Sequence, residues 1–222
     1  MHSCTTRAGA LSAKPPVDRR VILPNDDAPT LYAIVLAAGA SSRFGSPKQL
    51  VRVNGRPLMH TLVSRAVEVA GHSTLVVLGA NAGELAPLLR HTPATIVINR
   101  DWSEGLASSI RAGVSRLPGF CTGVMLVLAD QAAVTAEDLR RLAGTWRRQP
   151  EYIVAAQYGS TMGAPAIFPS ASFRDLMQLR GDRGASVLFH RNPDRVVRVP
   201  MDSAALDIDT PEDLLRLDPN KR

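Results

Sequence analysis

Arg43 and Lys48 close the run Leu36-Ala37-Ala38-Gly39-Ala40-Ser41-Ser42-Arg43-Phe44-Gly45-Ser46-Pro47-Lys48, in which small residues and hydroxyls lead up to two cations. That assortment suits a polyphosphate. Backbone N–H groups and hydroxyls donate to its oxygens, arginine offers a planar fork and lysine a point charge. The same residues also fit an ordinary surface turn carrying solvated cations. Carboxylates that could bring a metal to such a group stand later in the chain. Asp130 ends an apolar run, and Asp207 and Asp209 alternate with Leu206 and Ile208 so that both point to one face of an extended segment. Mg²⁺ or Mn²⁺ beside a nucleotide needs few protein ligands, because one or two carboxylates and the phosphate oxygens suffice.

Spacing narrows the kind of phosphate loop. A Walker loop needs GxxxxGK[ST], but Gly39 and Gly45 enclose five residues and Gly45 is followed by Ser46-Pro47-Lys48. The dinucleotide fingerprint needs a second glycine where Ser41 stands.

The elements that must hold these residues read as an α/β alternation. Tyr32 to Ala38 is a buried strand that leaves through Gly39, where a missing Cβ permits a tight turn. Pro57 to Val69 follows with a helical apolar face, with Pro57 suited to the first helical position, and Gly71 ends it. Strands are expected at Thr74 to Leu78, Thr95 to Ile98, Gly123 to Leu128 and Tyr152 to Gln157, with a short helix over Glu84 to Arg90. Gly159 to Phe168 reads as a loop entering a short strand, Pro165 to Phe168. Such a rhythm predicts a mostly parallel sheet covered by helices, whose strand ends bind ligand at their carboxyl side, where Asp130 is delivered.

Other polar stretches carry structural duties. Asn99 to Ser109 passes from a strand end into a helix running to about Arg116. Ser103 there is a candidate cap, and Gly105, Ser108 and Ser109 form a smooth face where a base or an anion could lie. Thr135 to Asp138 is a capping box, and Thr210-Pro211-Glu212-Asp213 is a second helix start.

Composition excludes several classes. The 222 residues, with 45% hydrophobic content, suffice for one large domain, divided as a flexible extension over 1–30, the domain over 31–217 and a tail over 218–222. The net charge of +6 comes mainly from scattered arginines, and aromatics are only 5%, so nucleic acid is not the expected partner. Two cysteines, Cys4 and Cys121, share no CxxC spacing, and the five histidines form no metal-binding pair. No apolar run approaches the roughly 20 residues that span a bilayer, and a cytoplasmic, unexported protein without membrane partners is expected.

Leu36 to Lys48 matches LxAGxxxRxGxxK and resembles the amino end of MobA-like nucleotidyltransferases. Within that family the LAAG form, with Ala38, is similar to cytidylyltransferases acting on molybdenum cofactor. Further motifs follow in order. Asn99 to Ser109 resembles N-x-x-W-x-x-G-L-x-x-S, Gly159 to Phe168 resembles G-x-R-G-x-P-x-x-F, Gly181 to Ala185 resembles GDxGA, and Asp207 to Asp213 resembles D-I-D-T-P-x-D. Met162 and Ser186 depart from the family pattern, each near a place where members carry arginine.

The resemblance implies a three-layer, Rossmann-like fold of the nucleotide-diphospho-sugar transferase type. It implies transfer of CMP from CTP (or of GMP from GTP) to the terminal phosphate of molybdopterin, with release of pyrophosphate. Leu36, Ala37, Ala38, Gly39, Ser42, Arg43, Lys48, Ser103, Gly105 and Ser108 would hold the nucleotide, and Arg43, Lys48 and Asp130 would be catalytic. Asp130 and Asp209 would hold the metal, and Gly163, Pro165, Asp182, Arg183 and Asp207 would face the acceptor. A molybdenum hydroxylase or its chaperone would be the partner. The alternatives are a sugar- or polyol-phosphate cytidylyltransferase and a nucleotide-binding cofactor chaperone without transfer activity.

Overall fold

The computed structural model describes residues 29–40, 44, 47–53, 55–208, 210 and 213. Strand β1 (Leu31–Ala37) is an interior strand of a seven-stranded sheet. Its side chains alternate between two cores. Ala33, Val35 and Ala37 face one, which contains Met59, Val63, Leu142 and Trp146, while Ile34 and Leu36 face the other, which contains Ile110, Leu176 and Phe189. A strand buried on both faces needs apolar residues throughout rather than at every second position, and LYAIVLA meets that need.

Beyond β1 come β2 (Arg52–Val53), β3 (Arg56–Pro57), α1 (Leu58–Ala70), β4 (Thr74–Leu78), α2 (Ala82–Leu85) and β5 (Thr95–Ile98). Then follow α3 (Leu106–Val114), β6 (Gly123–Leu128), α4 (Ala136–Arg148), β7 (Ile153–Tyr158), β8 (Thr161–Pro169), α5 (Phe173–Met177), α6 (Val187–Arg191) and β9 (Val196–Pro200). The strand order is β5-β4-β1-β6-β8-β7-β9. β1 pairs in parallel with both β4 and β6, so the chain winds outward to β5 on one side and then restarts on the other. The crevice between β1 and β6 is thus a topological switch point, where open α/β sheets bind ligands outside the strand carboxyl ends.

Several expectations change. The expected loop from Gly159 is a strand: β8 runs nine residues and lies antiparallel between β6 and β7. Pro165 ordinarily argues against a central strand. Here the register jumps from Ala155↔Ala166 to Ala156↔Gly163, so Ala164 and Pro165 fall in a bulge where no ladder N–H is required. Helix α1 starts at Leu58 with Pro57 as its cap, and Pro57 also pairs with Arg52 in a small hairpin. The segment expected as a helix to Arg90 is one α turn, α2, extended by a 3₁₀ turn. Among the described residues no helix is long and apolar enough to cross a membrane.

Candidate active site

A cleft of about 440 Å³ opens at the carboxyl ends of β1 and β6. Leu36, Ala37, Ala38, Gly39, Lys48, Ser103, Gly105, Asp130 and Asp182 line it, so residues remote in sequence meet there as expected. Ser42, Arg43 and Asp209, also expected at the site, lie outside the described residues.

In the cleft, Lys48 Nζ donates to Asp130 Oδ2 at 3.1 Å. Lys48 arrives from the loop after β1, and Asp130 from the turn after β6. The other carboxylate oxygen, Asp130 Oδ1, is buried and has no hydrogen-bond partner among the described residues. A buried carboxylate oxygen left unmade costs free energy, and such atoms call for an ion or ligand to complete them. A hard divalent cation fits that oxygen. Among the described residues no group of three His, Cys, Asp or Glu stands close enough to hold an ion by itself, so an ion here would take its remaining oxygens from phosphate and water.

Asp130 is held firmly by its backbone. Its carbonyl accepts from Ala132 N–H at 2.9 Å and from Ile208 N–H at 3.0 Å, which brings the chain's closing segment against the site. Next to it, the Gln131 side-chain amide donates to the carbonyls of Ala164, at 2.8 Å, and Ala204, at 3.0 Å. Arg65 on α1 donates to the carbonyls of Ala132 and Val134 at 2.8 and 2.6 Å, and burial lowers its guanidinium from the ordinary value. Sequence reasoning missed Arg65 and Gln131 because their partners stand more than thirty positions away, beyond any local spacing.

On the opposite flank, the start of α3 is built differently from expectation. Ser103 does not cap the helix. It lies in a 3₁₀ turn, and Gly105, at φ +102°, takes the cap position without a side-chain bond. A Cβ on Gly105 would stand 2.7 Å from the Gly181 carbonyl carbon, and Ala107 N–H donates to Gly181 O at 3.0 Å, so the Gly181-Asp182 loop packs into the space that a side chain would fill. Ser108, expected to face the nucleotide, does not line the cleft. Its hydroxyl donates to Gly105 O at 2.8 Å and accepts from Asn99 Nδ2 at 2.8 Å. Ser109 lines the cleft instead, together with Trp102, Leu106 and Gln49.

A second chamber of about 360 Å³ adjoins the first across Leu36, Leu106 and Leu128. Gly163, Met162 and Ser186 line it with Tyr158, Phe168 and Phe189, and among the described residues no charged side chain does. A Cβ on Gly163 would meet the Tyr158 hydroxyl, so the glycine makes room for that ring. Burial, and next to it the charge of Asp207, raises the Tyr158 phenol above its ordinary value. Asp207, Pro165 and Arg183, expected at the acceptor side, line neither cavity: Asp207 and Arg183 are exposed, and Pro165 is buried in the β8 bulge.

The cleft opens at the switch point of an open α/β sheet, the place where sheets of this class bind ligands. Residues 33–199 match the MobA-like NTP transferase domain, and the chain belongs to that family of nucleotidyltransferases, with the fold of the nucleotide-diphospho-sugar transferase type. It is similar to nicotine blue oxidoreductase of Paenarthrobacter nicotinovorans, at 31% identity over 86% of this chain and 98% of that protein. Among solved structures it resembles Rv0371c of Mycobacterium tuberculosis, with a TM-score of 0.74 and 30% identity over 86% of this chain and 98% of that one. A structure of Rv0371c in complex with manganese also matches, with a TM-score of 0.70 and 28% identity over 85% of this chain and 97% of that one.

Proposed function

We propose that the protein transfers CMP from CTP to the terminal phosphate of molybdopterin, as a cytoplasmic enzyme of molybdenum-cofactor synthesis, with release of pyrophosphate. The observation that carries this reading is the Lys48–Asp130 pair, with the buried Asp130 Oδ1 left without a hydrogen-bond partner among the described residues, set in the cleft at the β1/β6 switch point. An acceptor phosphate oxygen attacks the α-phosphorus, the bond to the bridging oxygen breaks, and pyrophosphate leaves. No protein nucleophile is needed, so the chain's work is positioning and charge neutralisation. Lys48 offsets charge on the phosphates, Arg43 joins it from the same loop, and the Gly39 turn lets the nucleotide approach the backbone. Asp130, with Asp209, would hold Mg²⁺ or Mn²⁺. That ion supplies Lewis-acid neutralisation of the phosphate oxygens, and the manganese complex of Rv0371c supports the choice of a divalent cation. The uncharged second chamber suits the ring system of the acceptor, and Asp182 stands at the first cleft's wall.

The test is pyrophosphate release with CTP or GTP, Mg²⁺ or Mn²⁺, and molybdopterin. We expect release with CTP, and a fall of about 100-fold or more in Lys48→Ala or Asp130→Ala, the scale of losing one preorganised charge contact. Turnover within about threefold of wild type in both variants would refute the assignment. A second reading, redox turnover in the same cavities, is favoured by the name of the 31% identical relative. Consumption of a reduced nicotinamide without pyrophosphate release would support it.

A further inference from the structure

The sheet ends in two edge strands, β5 and β9, that are finished differently. Just past β9, Met201 N–H donates to Gln157 O at 2.8 Å, so by the alternation of a parallel ladder Val196, Arg198 and Pro200 turn their backbone groups away from β7. That outer row is closed to another strand. Pro200 has no N–H, its carbonyl accepts from Arg141 at 2.7 Å, and Arg198 adds an exposed charge. At the other edge Asn99 N–H donates to Leu78 O at 2.8 Å, so Ile96 and Ile98 turn their N–H and C=O groups away from β4. Neither proline nor charge stands within Thr95–Ile98, and Ile98 is 52% exposed.

A groove of about 920 Å³ runs along β5. Asp101 lines it past the carboxyl end of the strand, whereas His72 and Arg116 line it at the amino end, and all three are exposed. A strand laid antiparallel in this groove, with an acid past its own carboxyl end, therefore meets the basic end. The strand β5 itself has that pattern. A two-fold axis through Val97 sets Ile96 of each copy opposite Ile98 of the other, and every outward N–H and C=O of the two strands is then paired, in four hydrogen bonds. The same register brings Asp101 of each copy level with Pro93 of the other, at the end of the groove that carries His72 and Arg116. It places no two like charges opposite each other. Sliding by two residues instead sets an isoleucine against Ala94 or Arg100.

We propose that β5 is an interface for a second copy of this chain, pairing antiparallel with the partner's β5 so that the two sheets become one. Main-chain bonds supply the affinity of such strand addition, and the side chains supply its specificity. Ile96 already packs against the core that holds Leu85 and Leu89, and Ile98 lies on the same face of the strand, so the cross-strand isoleucine pairs carry that core over the joint. A two-fold contact of this kind is closed, because it uses the same edge on both copies and leaves β9 blunted at each end of the joined sheet. The proposal holds whatever ligand the cleft between β1 and β6 takes.

The experiment is analytical ultracentrifugation of the full chain, wild type and Ile98→Lys, with amide hydrogen exchange to locate the contact. Wild type is expected to be a dimer with a dissociation constant of about 10 μM or tighter, and with slow exchange at the amides of Ile96 and Ile98. Ile98→Lys should raise that constant at least about 100-fold, because the joint would have to bury an unpaired charge, while the circular dichroism spectrum stays that of wild type. If Ile98→Lys does not fold, cross-linking in a Cys4→Ser background decides. Val97→Cys, on the axis, brings its two Cα atoms to about 4.5 Å, within reach of a disulfide, and should give a covalent dimer on mild oxidation. Thr95→Cys, off the axis, should not. A wild-type monomer at about 100 μM, a dimer whose constant moves less than about threefold in Ile98→Lys, or cross-linking at Thr95→Cys in place of Val97→Cys overturns the proposal. So does a monomer in which the Ile96 and Ile98 amides are protected, since residues 1–28 of the same chain would then cover the edge.

Discussion

Asp130 and Lys48 illustrate how one contact serves two states. With no ligand between them, each charge is compensated by the other at 3.1 Å, so neither is left uncompensated in the cleft. Under the proposed function, Lys48 would answer the phosphates' charge as well, and Asp130 keeps a second, buried oxygen that has no hydrogen-bond partner among the described residues. Asp138 shows a contrasting, purely structural carboxylate. Burial alone would raise it, but bonds from the Thr135 N–H, the Ser203 hydroxyl and the Thr135 hydroxyl, with the Arg141 charge, hold it below the ordinary carboxylate value. A depressed folded value means that this group's contribution to stability is complete above about pH 4, the unfolded value, and fades as pH falls through the lower folded value. Asp138→Asn is therefore expected to destabilise the protein at pH 7 and to flatten the acid limb of a stability-against-pH curve measured by urea unfolding. An acid limb identical to wild type would show that the cap's charge is irrelevant.

Elements were legible in the sequence where a single local rule governed them. Thr74–Leu78, Thr95–Ile98 and Gly123–Leu128 are strands with the bounds that their apolar runs announce. The capping box at Thr135 forms as its spacing requires. β8 was not legible, because Gly163 and Pro165 signal a turn, and only the neighbouring strands reveal that one sits under a tyrosine and the other in a bulge. At the cleft, the convergence of Leu36 to Gly39 with Asp130 was readable from strand ends, and Lys48 and Gly105 join them from the loops that follow β1 and β5. The exchange of Ser108 for Ser109 was not, since both follow the same helix start and only Asn99, reaching across from β5's end, distinguishes them. Helix-to-sheet packing also depends on glycines that no periodicity explains. A Cβ on Gly123 of β6 would lie 2.2 Å from the ring of the fully buried Trp146 on α4. Gly123→Ala should cost about 1–3 kcal/mol through overpacking, read as a lower midpoint in urea unfolding with the slope unchanged. A midpoint equal to wild type would mean that α4 shifts freely.

For the molecule as a whole, Cys121 offers a reporter of opening. It is 4% exposed, and burial pushes its thiol up to about 11, so it is protected both sterically and by scarcity of thiolate. In a Cys4→Ser background, alkylation at pH 8 followed by mass spectrometry is expected to proceed only as fast as the domain opens. Mg²⁺ with CTP at 100 times its dissociation constant should slow it by about 100-fold, the factor by which a ligand of the closed form depletes the open one. Labelling at the rate of a free thiol would show that the strand ends breathe locally. The double hold on the Asp130 carbonyl, from Ala132 and from Ile208, has a further consequence at this scale. Both bonds engage the peptide group and neither uses the side chain, so position 130 is a fixed mount with an exchangeable fitting. If Asp130 holds the proposed metal, carboxylate, amide and thiol at this position should retune metal preference while both backbone bonds stay in place, since neither depends on the side chain.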